Sequence, residues 1–169
     1  MVVRLIVSVV LAAVSACALA QTTTPEAAQM FMSKQEIQTL VARAKADRKG
    51  AAPLVLEPIL SLAPYQAQLE YRPAPAPAAL HEKDAELMVV LQGTGTVVTG
   101  GKLLDQKRVN SANLMGSSVE GGREQAVGVG DMLIVPANVP HQIVPTGGAP
   151  IVLMTMHVPY PALNWPPAP

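Results

Sequence analysis

Two short apolar runs in this chain each carry side chains that a buried strand does not ordinarily tolerate. They are His81-Glu-Lys-Asp-Ala-Glu86-Leu-Met-Val-Val-Leu-Gln-Gly93 and Gly130-Asp-Met-Leu-Ile-Val-Pro136-Ala-Asn138-Val-Pro-His141. A β-strand shows alternate side chains to one face, so a polar group can point into a barrel whose other inward positions stay apolar. Glu86, followed by five apolar residues, needs a charge partner or a metal to offset its desolvation. Imidazole and carboxylate together suit iron, manganese, nickel, copper or zinc, and two His with one carboxylate leave coordination positions open for substrate. His81, Glu86 and His141 are therefore the candidate metal ligands. The expected cofactor is a divalent transition metal: Fe, Mn, Zn, Ni or Cu.

The spacing resembles the two signature motifs of the cupin superfamily. The first runs His-x-His, three or four residues, Glu, six residues, Gly, and the second runs Gly, five residues, Pro-x-Gly, two residues, His. Here His81, Glu86 and Gly93 fit the first, and Gly130, Pro136 and His141 fit the second. Ala79 stands where the family's first His would be, which removes one of its usual four ligands. Asn138 stands where the glycine would be, a mild change because Asn tolerates left-handed turn conformations. The run from Ala85 to Lys102 is similar to small bacterial single-domain cupins, and the resemblance covers roughly residues 54 to 158. It implies an all-β fold, the cupin jelly-roll β-barrel. It also implies a homodimer, which would cover the strands 86 to 92 and 151 to 158, apolar at nearly every position. It implies no particular reaction.

At 169 residues the chain has room for one barrel domain with a proper core, not two. Aromatics are scarce, so that core must be built from Val, Leu, Ile, Ala and Met, a composition that favours strands. Met88, Met132, Met154 and Met156 are expected to fill it, because thioethers pack adaptably. The formal charge is zero and no basic cluster is present, which argues against nucleic acid as a partner.

Residues 1 to 20 read as a secretory signal, with Arg4 as the positive region, Leu5 to Val14 as the apolar region and Ala18-Leu19-Ala20 as the cleavage site. A periplasmic or secreted protein is expected. Cleavage there removes Cys17, the only cysteine, and leaves a domain without disulfides. The alternative is a lipoprotein anchored to the outer membrane, since Val14-Ser15-Ala16-Cys17 also looks like a lipid-processing box that would make Cys17 a lipid anchor.

Residues 21 to 33 form a leader. Ser33-Lys-Gln-Glu36 is a capping-box pattern, and Ile37, Leu40, Val41 and Ala44 fall at helical spacing, predicting a short N-terminal α-helix within residues 34 to 50. From Leu54 the period becomes two, with strands expected at 54–62, 65–72, 86–92, 95–99, 102–109, 125–127, 132–135, 141–144 and 151–158. Residues 110 to 124 are small and polar and read as a long loop. A proline-rich tail is expected over 159 to 169.

Glu82 and Asp84 read as a solvated charged turn. Glu86 is also a candidate proton shuttle, and His157, on the last strand, a candidate acid/base beside the metal. The functional expectation is an exported metal-dependent enzyme of dioxygenase, isomerase or lyase type acting on a small oxygenated molecule. The alternatives are a non-catalytic cupin that binds a small molecule or metal, and a purely structural barrel. Export itself is checked by the intact mass of the exported protein, expected to begin at Gln21. A diacylated mass beginning at Cys17 contradicts soluble export.

Overall fold

The computed structural model describes residues 28–159, so the expected signal sequence, Cys17, most of the leader and the tail beyond Pro159 lie outside the described residues. The chain first forms α1 (Lys34–Asp47), whose start is fixed by the predicted capping box. Glu36 N donates to Ser33 Oγ at 3.3 Å, while Ser33 N donates to Glu36 Oε2 at 2.6 Å. Its buried face, Leu40 and Ala44 with Ile37 and Val41 beside them, packs on Ile59, Leu69, Tyr71 and Val152.

Strands follow in the order β1 (Val55–Leu62), β2 (Tyr65–Arg72), β3 (Ala78–His81), β4 (Asp84–Gln92), β5 (Thr94–Thr99), β6 (Lys102–Leu103) and β7 (Lys107–Arg108). Then come β8 (Asn113–Gly116), β9 (Val119–Glu120), β10 (Arg123–Gly128), β11 (Met132–Val135), β12 (His141–Pro145) and β13 (Ile151–Pro159). They pair antiparallel in two main sheets, β1-β2-β13-β4-β11 and β10-β5-β12-β3-β8-β7, with β6 and β9 as a small ribbon. This is a jelly-roll arrangement. Between the sheets lies a core of Met88, Val90, Val97, Val127, Val135, Ile143, Ile151 and Leu153. The aliphatic, aromatic-poor composition therefore builds the centre of the barrel, while α1 covers part of one outer face.

Turns enforce the motif spacing. Gly93, between β4 and β5, has φ +77°, and a Cβ there would collide with the carbonyl of Pro150. Asn138 takes the left-handed conformation expected of it, φ +64°.

Three expectations differ from the structure. The single strand predicted over 102–109 is two short pieces, because Asp105 turns the chain at φ +49° and its carboxylate accepts from Ser117 Oγ at 2.6 Å. The segment 110–124 is not one long loop but supplies β8 and β9, and Gly116 allows a close approach there: a Cβ on it would strike the carbonyl of Leu104. Met88 is fully buried and Met154 and Met156 are half-buried, but Met132 is 71% exposed, since it points outward on the edge strand β11.

Because the core is tightly packed and holds no disulfide among the described residues, truncating it should be costly. Leu153→Ala should destabilise the domain by about 2–5 kcal/mol in denaturant unfolding. A loss below about 1 kcal/mol contradicts the assignment of Leu153 to the centre of the core.

Candidate metal centre

Each sequence-predicted site residue faces the same end of the barrel interior. Glu86 is on β4 at the parity of the core residues Met88 and Val90, and His141 precedes Ile143 by two on β12. His81 ends β3, and His157 lies on β13 in register with Glu86. The two motifs are also bound to each other. Asn138 N donates to the carbonyl of His81 at 2.8 Å, and its side-chain amide donates to that of Glu82 at 3.3 Å, so the turn before β12 is tied to the end of β3.

Glu86 and His141 are buried, 3% and 2% exposed, and His81 is half-buried. Glu86 Oε2 lies 2.8 Å from His141 Nε2 and 3.3 Å from His81 Nε2. Neither approach has hydrogen-bond alignment, so Oε2 is a buried polar atom without a hydrogen-bond partner. The outer ring nitrogens are engaged as well. His81 Nδ1 pairs with Asn113 Oδ1 at 2.8 Å and His141 Nδ1 with the carbonyl of Val139 at 3.3 Å; both partners only accept, so each Nδ1 is the donor. In the neutral tautomers this leaves the Nε2 lone pairs facing a carboxylate oxygen. Acceptors converging in a dry site require a cation among them, a proton or a metal.

The titration shifts carry the same signature. Burial opposes ionisation of Glu86, but the imidazoles of His141 and His81 outweigh it and hold the carboxyl far below the ordinary carboxylate range. Burial likewise opposes protonation of His81, yet its contacts with Glu86 and Asn113 raise its pKa above the ordinary value of 6.5. The donor set, imidazole nitrogens around one carboxylate, fits a divalent transition metal.

His157 stands close by: its ring meets that of His81 edge to face at a centroid distance of 4.4 Å. A nitrogen of His157, one of His81 and a carboxylate oxygen of Glu86 all lie within 4.8 Å of one another. Glu82 turns away, as expected, and is paired with Arg108 at 2.7 and 2.8 Å. Ala79 faces the site, in register with His141, and brings no donor.

The site opens into a cavity of about 410 Å³. Its wall carries a buried ion pair, Glu70 with Arg72 at 2.7 Å, with Thr155 Oγ1 donating to Glu70 at 3.3 Å. Sequence reasoning missed Asn113, Glu70 and Arg72. Asn113 sits in the segment read as a loop, and only its strand pairing with His81 across β3 and β8 reveals it. Glu70 and Arg72 alternate with Leu69 and Tyr71 on β2, a pattern that equally describes a strand with one wet face. Replacing Asn113 with Ala should weaken divalent-metal affinity by about 10–100-fold in calorimetric titration, because His81 loses the partner that orients it; unchanged affinity contradicts that role.

No protein-family model and no curated protein matches the sequence. Solved structures do. The protein TT1209 from Thermus thermophilus aligns with a TM-score of 0.50 at 17% identity, over 72% of this chain and 95% of that one. A conserved protein with a double-stranded β-helix domain from Klebsiella pneumoniae subsp. pneumoniae MGH 78578 gives 0.51 at 14% identity, over 72% and 89%. Hydroquinone 1,2-dioxygenase PnpCD, in complex with Cd2+ and 4-hydroxybenzonitrile, gives 0.51 at 14% identity, over 72% of each chain. The likeness is one of fold: this chain folds as a double-stranded β-helix, the fold expected from the resemblance of its two motifs.

Proposed function

We propose that the protein is a metal-dependent enzyme, of dioxygenase, isomerase or lyase type, that holds a divalent transition metal with His81, Glu86 and His141 and acts on a small oxygenated molecule. The observation that carries this reading is Glu86 Oε2, buried, without an aligned hydrogen-bond partner and 2.8 and 3.3 Å from Nε2 of His141 and His81, whose Nδ1 atoms are engaged on the other side of each ring. A metal bound there supplies Lewis-acid or redox chemistry next to the cavity.

The chain's own groups prepare the site. Asn113 and the Val139 carbonyl hold the Nδ1 protons of His81 and His141, which fixes both rings with Nε2 inward. Glu86 balances part of the charge of a divalent ion. Leu54, Leu56, Val109 and Met115 line the cavity with apolar surface, while the Glu70–Arg72 pair gives its wall polar groups with little net charge. That combination suits a small, largely neutral molecule bearing oxygen functions. The Cd2+ complex of the similar dioxygenase supports the same reading.

Export to the periplasm or beyond, inferred from residues 1 to 20, is part of this proposal, as is a homodimer. Outward-facing Met132 and Ile134, 71% and 59% exposed on β11, support a second copy as cover for that face.

His81→Ala, Glu86→Ala and His141→Ala should each lose most bound metal, by elemental analysis, while keeping β-type circular dichroism. Metal content equal to wild type in all three would remove the basis for the enzyme reading.

A further inference from the structure

His157 belongs to neither motif, yet the fold brings it to the same point. It lies opposite Glu86 in the β13–β4 register, and directly opposed residues of antiparallel strands put their Cβ atoms about 5 Å apart on one face. That face is the inner one, since Ile151, Leu153 and Thr155 share the parity of His157 and are buried. Among the described residues no hydrogen bond engages its ring nitrogens, whereas Nδ1 of both His81 and His141 is held. Its donor nitrogen, that of His81 and a Glu86 oxygen fall within 4.8 Å of one another. Ligands with bonds of about 2.1 Å lie about 3–4 Å apart around a shared ion, a spacing of the same order as the one found here.

We propose that His157 is a fourth ligand, so that three imidazoles and one carboxylate hold the ion. This rests on the metal reading above and replaces the acid/base role for His157, because a ligated nitrogen has its lone pair committed. It also accounts for Ala79. Position 79 shares the inner face of β3 with His81, lines the same cavity and pairs with His141, so a histidine there would address the same ion. The last strand supplies from the other sheet what β3 lacks. In six-coordinate geometry two positions then remain for exchangeable ligands.

The test uses cobalt(II) alone on the purified protein. X-ray absorption of the cobalt-loaded wild type should count three imidazoles; a count of two overturns the proposal without any variant. In isothermal titration, His157→Ala should lower cobalt affinity at least about 10-fold. Adding Ala79→His to that variant should bring the imidazole count back to three. Affinity and imidazole count both unchanged in His157→Ala would show that His157 is not a ligand while leaving the His81–Glu86–His141 centre standing. Absence of cobalt binding in the wild type is a different result, and it overturns the metal reading itself.

Discussion

The carboxylate of Glu86 sits at 3% exposure with Oε2 turned toward the Nε2 atoms of His141 and His81, whose Nδ1 atoms are held on the far side of each ring, and the rest of the site is arranged around that constraint. An ionised carboxylate in a dry interior is costly unless a cation is close. The contacts with His141 and His81 outweigh that cost, holding Glu86 ionised and His81 more basic than usual. A proton shared among these groups, or a divalent ion held by them, offsets that cost at one end of an otherwise aliphatic barrel.

The architecture serves this arrangement through strand register. Glu86 opposes His157, and His141 opposes Ala79, so two adjacent pairs of strands in facing sheets deliver four inward positions to one place. The turn around Asn138, which carries the chain from β11 of one sheet to β12 of the other, is held at the site by hydrogen bonds to the backbone of His81 and Glu82. The core of Met88, Val90, Ile143 and Leu153 begins immediately behind the polar layer. Ring positions therefore depend on strands that cannot shift without breaking the core, which is the rigidity a metal site requires.

Strands β4, β5, β11, β12 and β13 were legible in the sequence because each is a short run rich in apolar or β-branched residues with glycine or proline nearby. His81, Glu86 and His141 were legible because a charged or imidazole group in such a run demands a partner. What escaped had weaker local signals. β8 is four residues in a small, polar segment, stabilised by pairing with β3 and β7 and not by its own propensity, so Asn113 could not be tied to His81 without the fold. Met132 looked like core because its strand is apolar throughout, and only the edge position of β11 leaves it exposed. His157 was named from the sequence as a candidate beside the metal, but its place directly opposite Glu86 is a matter of long-range register, which no local spacing encodes.

If Glu86 Oε2 anchors a metal ion, anomalous diffraction from crystals grown with a divalent transition metal will locate it. One ion is expected at about 2.0–2.2 Å from a Glu86 carboxylate oxygen and from Nε2 of both His81 and His141, with their Nδ1 contacts to Asn113 and the Val139 carbonyl retained. An anomalous peak elsewhere on the surface, or none in the barrel while Glu86 keeps its place between the imidazoles, would contradict it.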